Sequence, residues 1–438
     1  MATLLTNATI LPMTRTADQE LTFVGAVGVV NNTIALVTSE TSKIELFKEQ
    51  HPECRTIDCQ GNVVMPGLIN THCHVSMTIL RGYADDMALM EWLNNHVWPF
   101  EAQMTPDQMK LGAELGIVEM LQGGTTSFVD MYWNEHRIAE AVAQLGIRAM
   151  LGCSIIDHKI DIAEQDVLSA IEATRDNPRA KVSVAPHAAY TCSPETLKLC
   201  VDLAQQHDLH FMSHIAETLD EEKIIRDRYN CTPVEHFQSL GALNQKMIAA
   251  HTIHLSESDI NILKEHNVTI AHNPQSNMKL ASGIAPIVEM HKAGVTCTIG
   301  TDGASSNNDL DMWEELRTCA LLQKVDNFDP CALPAYEVLK MATVNAAAAM
   351  GQSGKLGIIE EGALADIIVV DMQKPHLQPI HNTVSNLVYS AKASDVMMTI
   401  VDGEILVEGG RVVNVDYKEL FTRIKTATDS IIEQIANC

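Results

Sequence analysis

Through the middle of the chain, short apolar runs alternate with stretches where apolar residues return every three or four positions. That is the pattern of β-strands interleaved with amphipathic helices. The runs Val63 to Asn70, Thr125 to Asp130, Arg148 to Ser154, Val182 to Pro186, His210 to His214, Met247 to His251, Val268 to His272 and Val295 to Asp302 predict eight strands. Strands separated by helices imply a parallel sheet, and eight is the number that closes a (β/α)8 barrel. The two ends of the chain read differently. Thr3 to Ile10, Phe23 to Val30 and Thr33 to Thr38 are β-type runs divided by turn residues such as Asn31-Asn32. Similar runs return at Ala365 to Asp371, Val396 to Val401, Glu404 to Val407 and Arg411 to Val415. The expectation is an α/β protein in two parts: a TIM-like barrel over 61–363, and a small β-sandwich domain assembled from 1–60 and 364–438. Leu420, Ile424, Ile431 and Ile435 fall near helical spacing, so the last segment should be an amphipathic helix.

The polar positions sharpen this picture. His72 and His74 follow the first run, Asp130 ends the second, His187 follows the fourth, and His214 ends the fifth with Glu217 close behind. His251, His272 and Asp302 end the sixth, seventh and eighth. In a closed barrel those strand ends share the face on which active sites are built, so residues distant in sequence converge there. Side chains at i and i+2 of an extended segment point the same way, so His72 and His74 can reach one metal ion while Cys73 between them points away. Catalytic zinc takes nitrogen and oxygen ligands and keeps one position open for water, and His72, His74, His214 and Asp302 form a natural set. Such an ion lowers the pKa of its water toward neutrality. Asp302 can accept the water proton, Glu217 is placed to protonate a substrate atom, and His251 either orients the attacking oxygen or ligates in place of Asp302. The connection from Val75 to Gly124 is unusually long and carries Trp92, Trp98 and Glu101, which suits a lid or binding element.

Composition narrows the partners. A formal net charge of −26 argues against nucleic acid and anionic membrane, both of which call for basic patches. Eleven cysteines without a CxxC pair do not make a disulfide framework in a chain of 438 residues, and they suit reduced thiols in a cytoplasmic protein. The apolar N-terminus lacks a basic leader and reads as a strand, and no apolar run reaches membrane-spanning length.

Taken together, PGLINTHCH, APHAAYTCS, SHIAE, AAHTIHL, HNPQSNMKLASGIAP and GTDGASSNN give the chain a nearly full-length resemblance to the amidohydrolase superfamily. It most resembles the 5′-methylthioadenosine/S-adenosylhomocysteine deaminases within that superfamily, with triazine hydrolases and cytosine and guanine deaminases as further relatives. The resemblance implies metal ligands at His72, His74, His214 and Asp302, and substrate contacts at Glu101, His187, Glu217 and Asp302. It implies that Glu101 binds ribose hydroxyls, that Glu217 protonates the adenine ring, and that His251 and Asp302 assist attack at C6 and release of ammonia. Binuclear relatives use a lysine of the fourth strand. Val182 to Pro186 has none, so a single divalent ion, zinc, is expected. Relatives that accept S-adenosylhomocysteine place an arginine at the end of the third strand, where this chain has Cys153. The loss of a bidentate carboxylate partner favours 5′-methylthioadenosine or adenosine over S-adenosylhomocysteine. The alternative is deamination or dechlorination of another heterocycle, such as guanine, cytosine or a triazine, and Glu101 argues against it because free bases have no ribose. A non-catalytic scaffold would be expected to lose ligands that are all present here. The superfamily also implies a homo-oligomer, dimer or tetramer.

Overall fold

The computed structural model describes residues 2–16 and 18–437. Its central feature is a parallel sheet of β1 (Leu68–His74), β2 (Thr125–Tyr132), β3 (Arg148–Ile155), β4 (Ala180–Pro186), β5 (His210–Ile215), β6 (Met247–His251), β7 (Thr269–His272) and β8 (Thr296–Ile299), each paired to the next. The chain leaves β8 and within three residues forms a short strand, Asp302–Gly303, that pairs in parallel with Cys73 and His74 of β1. The hydroxyl of Thr71 also donates to the Ile299 carbonyl at 2.9 Å. The sheet therefore curls until its last strand meets its first, the TIM-barrel architecture the eight apolar runs predict.

Successive side chains of a strand face opposite sides, and the core divides accordingly. Ile69, Val129, Met131, Met150, Met212 and Ile248 fill the barrel interior, closed at one end by Ala346, Met350 and Leu356. Residues of the other parity, such as Leu68, Phe211, Met247 and Ile270, pack outward against the surrounding helices. Both faces are covered, which is why the strands read as continuous apolar runs.

The two chain ends meet in a second, mixed sheet of nine strands. Ala2–Ile10 lies at its middle, flanked by Phe23–Val30 and by Val63–Pro66, and Val63–Pro66 pairs antiparallel with Ile367–Val370 from the far end of the chain. One face (Leu5, Ile10, Val27, Val64, Ile367, Ile400) forms its own core, while Leu4, Ala26 and Leu36 face the helix Thr41–Gln50 through Phe47. One boundary moves. Val63 to Asn70 reads as a single run, but Val63–Pro66 belongs to the mixed sheet and only Leu68–His74 to the barrel. The switch occurs at Gly67, where a Cβ would lie 2.1 Å from the Thr126 side chain. Its N–H donates to the Asp366 carbonyl at 3.0 Å, stitching the two sheets together.

The closing helix is present as Tyr417–Ala436, with Leu420 and Ile431 buried, and Arg423 pairs with Glu114 of the helix Pro106–Gln122 at 2.9 Å. No disulfide forms among the described cysteines, and no described helix is long and apolar enough to cross a membrane.

Candidate metal centre and pocket

The metal-ligand candidates of β1 reach the centre because the strand is irregular. Strict alternation would place His72 opposite Ile69, yet both face inward. The pairing of β1 with β2 slips between Asn70 and Cys73, where three steps on β1 match two on β2. That extra residue flips the parity, and Asn70 secures it by donating to the Thr301 hydroxyl at 2.7 Å and accepting from the Thr301 N–H at 3.1 Å. Three other strand ends turn through left-handed backbone: Ala216 after β5, His251 and Thr252 at β6, and Asp302 after β8. Such conformations are costly for residues with a Cβ and cluster where a site over-determines them.

His72, His214, His251 and Asp302 are all buried, and one potential ligand atom from each lies within 4.8 Å of the others. Imidazole rings need an orienting partner on the nitrogen that does not ligate. The Nδ1 of His214 is 2.8 Å from the His187 carbonyl, and that of His74 is 2.6 Å from the Met131 carbonyl. A carbonyl only accepts, so both rings carry a proton on Nδ1 and turn Nε2 inward. His251 Nδ1 lies 2.8 Å from Asn277 Oδ1 in the same sense. Asp302 Oδ2 accepts from Ser276 at 2.6 Å and Ser306 at 3.0 Å, leaving Oδ1 to face His74 at 3.1 Å and His72 at 3.5 Å.

Burial lowers the pKa of His72 to about 4 and holds His214 well below the imidazole range, so both stay neutral and able to ligate at pH 7. Burial opposes ionisation of Asp302, but the His72 and His74 imidazoles beside it outweigh that and keep the carboxyl well below its usual range. For His74, burial likewise opposes the charged form, and the Asp302 hydrogen bond overrides it and raises the pKa to about 9. The Nε2 of His72 is buried and has no hydrogen-bond partner. An orphaned imidazole nitrogen aimed at a carboxylate and two further imidazoles fits a metal ion, and the nitrogen and oxygen donors suit zinc-like divalent ions. The cluster fits a single metal. The observed β4 does include one lysine, Lys181, but its ammonium donates to the Met350 carbonyl at 3.0 Å at the opposite end of the strand.

A pocket opens over this cluster. His74, His187, His214, Glu217, His251 and Asp302 form its floor. Its outer wall comes from the Val75–Gly124 connection, which is helical rather than loop-like: Leu89, Trp92, Leu93, Trp98 and Glu101 all face the pocket. Burial keeps the Glu217 carboxyl protonated to higher pH than usual. Its backbone N–H donates to Glu221 at 2.8 Å, which fixes the start of the turn. Burial also raises Glu101 to about 7, against the lowering effect of the Tyr132 hydroxyl, which donates to Oε1 at 2.6 Å.

The site residues expected from the sequence thus line one pocket, except His72, which is fully buried within the ligand cluster. His251 joins the buried ligand cluster itself, while His74 sits at its edge with 12 % of its side chain exposed. Two other strand-end residues do not reach the pocket. Asp130 turns back to accept from the Val75 N–H at 2.7 Å, and His272 is buried without a partner for either nitrogen. Cys153 is buried among Val167 and Ala163, and the neighbouring Ser154 is the residue that faces the pocket. His236, in the helix Pro233–Ser239, is buried away from the pocket and stacked on Tyr229 at 4.3 Å. Sequence reasoning missed Tyr132, Asn277, Ser276 and Ser306. The last three lie inside motifs already conspicuous, NPQSNMK and GASSNN, and a search for partners of the expected ligands would have reached them.

Comparison with known proteins agrees with this geometry. The amidohydrolase family model matches residues 63–406. A protein named 5-methylthioadenosine/S-adenosylhomocysteine deaminase from Syntrophobacter fumaroxidans is 42% identical over 407 residues, 92% of each chain. A 5'-deoxyadenosine deaminase from Methanosarcina acetivorans is 42% identical over 92% of this chain and 94% of its own. The crystal structure of an adenosine deaminase from Xanthomonas campestris with bound zinc superposes with a TM-score of 0.92 at 34% identity, covering 98% of both chains. On the extent of these matches, the chain belongs to the amidohydrolase family.

Proposed function

We propose that this protein is a metal-dependent hydrolytic deaminase of adenosines carrying a small neutral group at C5′, converting them to the inosine analogue with release of ammonia. The observation that carries this reading is the pocket lining. It sets three carboxylates, Glu101, Glu217 and Asp302, among the apolar Met77, Leu89, Trp92, Leu93 and Trp98, and no lysine or arginine among the described residues lines it. A methylthio or methyl group at C5′ buries against those apolar side chains, whereas an amino-acid tail brings a carboxylate for which the lining offers no bidentate arginine partner, Lys159 standing over the outer ring of Trp133 at 3.8 Å. This argument replaces the one from Cys153, which points into the core. The deaminase names of the relatives support the reaction, and they include both 5-methylthioadenosine and S-adenosylhomocysteine. The same chemistry makes free bases poor substrates, because Glu101 then has no hydroxyl to accept from.

His72, His74, His214, His251 and Asp302 are the residues to hold the ion, with zinc the ion expected. When bound, it supplies Lewis acidity that activates water at neutral pH. The remaining steps belong to the chain's own groups. Asp302 Oδ1 takes one proton from the attacking water as its oxygen bonds to C6, and the protonated Glu217 carboxyl gives its proton to ring N1. The addition product then carries a hydroxyl and an amino group at C6. Glu217 recovers a proton from that hydroxyl as the carbonyl forms, Asp302 returns its proton to the amino group, and ammonia leaves. Both acids end as they began. Glu101 accepts from the ribose, and His187, held by Thr191 at 2.9 Å, faces the substrate from β4.

The test is a side-by-side assay of ammonia release from 5′-methylthioadenosine, 5′-deoxyadenosine, adenosine, S-adenosylhomocysteine and guanine by the zinc-loaded protein. The expected order of kcat/KM places the two substrates with apolar 5′ groups first and guanine last. Turnover of guanine above all adenosines would reject the nucleoside assignment, and equal kcat/KM for S-adenosylhomocysteine would reject the neutral-tail preference.

A further inference from the structure

Glu101 is unusually placed for a substrate-binding group. It sits on a short helical turn, Trp98–Glu101, in the middle of the long connection between β1 and β2, and not on a barrel strand. Its carboxylate is 5 % exposed, in an apolar wall with Trp92, Leu93 and Trp98. One strand-borne group reaches it. Tyr132, the last residue of β2 and itself 2 % exposed, donates its hydroxyl to Oε1 at 2.6 Å, while Oε2 is buried and has no partner. Tyr132 is fixed in turn, because its backbone N–H donates to Glu135 Oε1 at 3.1 Å.

We propose that Tyr132 is a positioning residue for substrate binding: it ties the wall-borne Glu101 to the rigid barrel and turns the free Oε2 toward the sugar hydroxyls of the substrate. The proposal rests on the reading of Glu101 as the hydroxyl acceptor. A carboxylate on a connecting segment has two rotatable side-chain bonds before its terminal group and a segment that can shift beneath it. A hydrogen bond from a residue on a strand removes both freedoms before substrate arrives, and preorganisation of that kind appears in affinity rather than in the chemical step. The bond also favours the ionised form against burial, and the charged groups facing Glu101 from other elements, His74 and Lys159, act in the same direction.

The experiment compares Tyr132→Phe, Glu101→Ala and the double variant on 5′-methylthioadenosine and on its analogue lacking both the 2′ and 3′ hydroxyls. Metal content and Tm are measured for each protein. Tyr132→Phe keeps the ring and removes only the donor. A hydrogen bond to a charged acceptor predicts that it raises KM for the diol substrate about tenfold with kcat within about twofold. It should leave kcat/KM for the diol-free analogue unchanged, cost nothing further in the Glu101→Ala background, and move the acid limb of the 1/KM profile to higher pH. An equal loss on both substrates, or a full loss in the Glu101→Ala background, would overturn the proposal by showing that Tyr132 supports something other than Glu101. If Glu101→Ala itself leaves KM for the diol substrate unaltered, the reading of Glu101 fails and the proposal with it.

Discussion

The barrel buries charge at both ends, and the two ends treat it in opposite ways. At the N-terminal ends of the strands, Arg148 donates to Asp366 through Nε and Nη2, both at 3.0 Å, and to Asp402 at 3.1 Å. Arg179 extends the group to Asp402 and to Glu404. There the charges alternate in sign and the donors meet acceptors, joining the barrel to the mixed sheet. At the C-terminal ends, the imidazoles of His72, His74, His214 and His251 gather around the single carboxylate of Asp302, with the Nε2 of His72 orphaned, on backbone held in left-handed turns. A closed network is complete by itself; an open one is complete only with something added. Buried charge is thus informative about function only where its valences are unfilled.

That contrast can be broken by experiment. The largest effect should come from the open end. Replacing Asp302 with Ala, or stripping the ion with a chelator, should lower kcat by about four orders of magnitude or more, since it removes Lewis acidity and a proton acceptor together. Metal analysis and re-addition of zinc check it, and recovery by zinc is expected only for the stripped parent. At the closed end, Arg148→Ala leaves the buried Asp366 carboxylate without its cation, beside a half-buried Asp402 that keeps Arg179, and should cost about 3–5 kcal/mol of stability. Denaturant midpoints measure this, and kcat of the folded protein should be preserved; a parallel fall in kcat would show that the two ends are not separable.

Glu217→Gln keeps the shape of the open end but cannot give up a proton, and should reduce kcat about 100- to 1,000-fold with little change in KM. The smallest effect concerns the wall. Burial raises Glu101 to about 7, so acidification through that pH protonates it and removes its charge as an acceptor. KM for a diol-bearing nucleoside should therefore rise about tenfold per pH unit below about 7, with the diol-free analogue as control. A flat KM over that range would place Glu101 outside the substrate's reach.

The barrel was legible in the sequence because a parallel strand buried on both faces leaves an uninterrupted apolar run, and its polar terminus marks which end carries chemistry. His72, His74, His187, His214, His251 and Asp302 stood out for that reason. Legibility failed where local pattern carries no register. Val63–Pro66 and Leu68–His74 are both apolar, so nothing in the run reveals that the chain changes sheets at Gly67. The slip between Asn70 and Cys73 was likewise silent, although without it His72 would not reach the centre. Asp130 and His272 show the converse: a polar residue at the right strand end still depends on parity to face the pocket. Tyr132 lay beyond the expected strand end at Asp130 and carried no signal, because its hydroxyl acquires meaning only beside Glu101, which is brought to it by a connection folded back over the barrel.

The pairing of Val63–Pro66 with Ile367–Val370 has a consequence for how the molecule is made. The first strands emerge from the ribosome with the edge of Val63–Pro66 bare, and the partner that covers it is synthesised only after every barrel strand. Until then an apolar strand with unpaired N–H and C=O groups is open to any passing chain. Closing the sheet needs contacts between the extremes of the sequence, the slowest kind to form. The nascent chain should therefore depend on chaperones until Ile367–Val370 arrives, and chains truncated before that point should aggregate even where their barrel strands are intact.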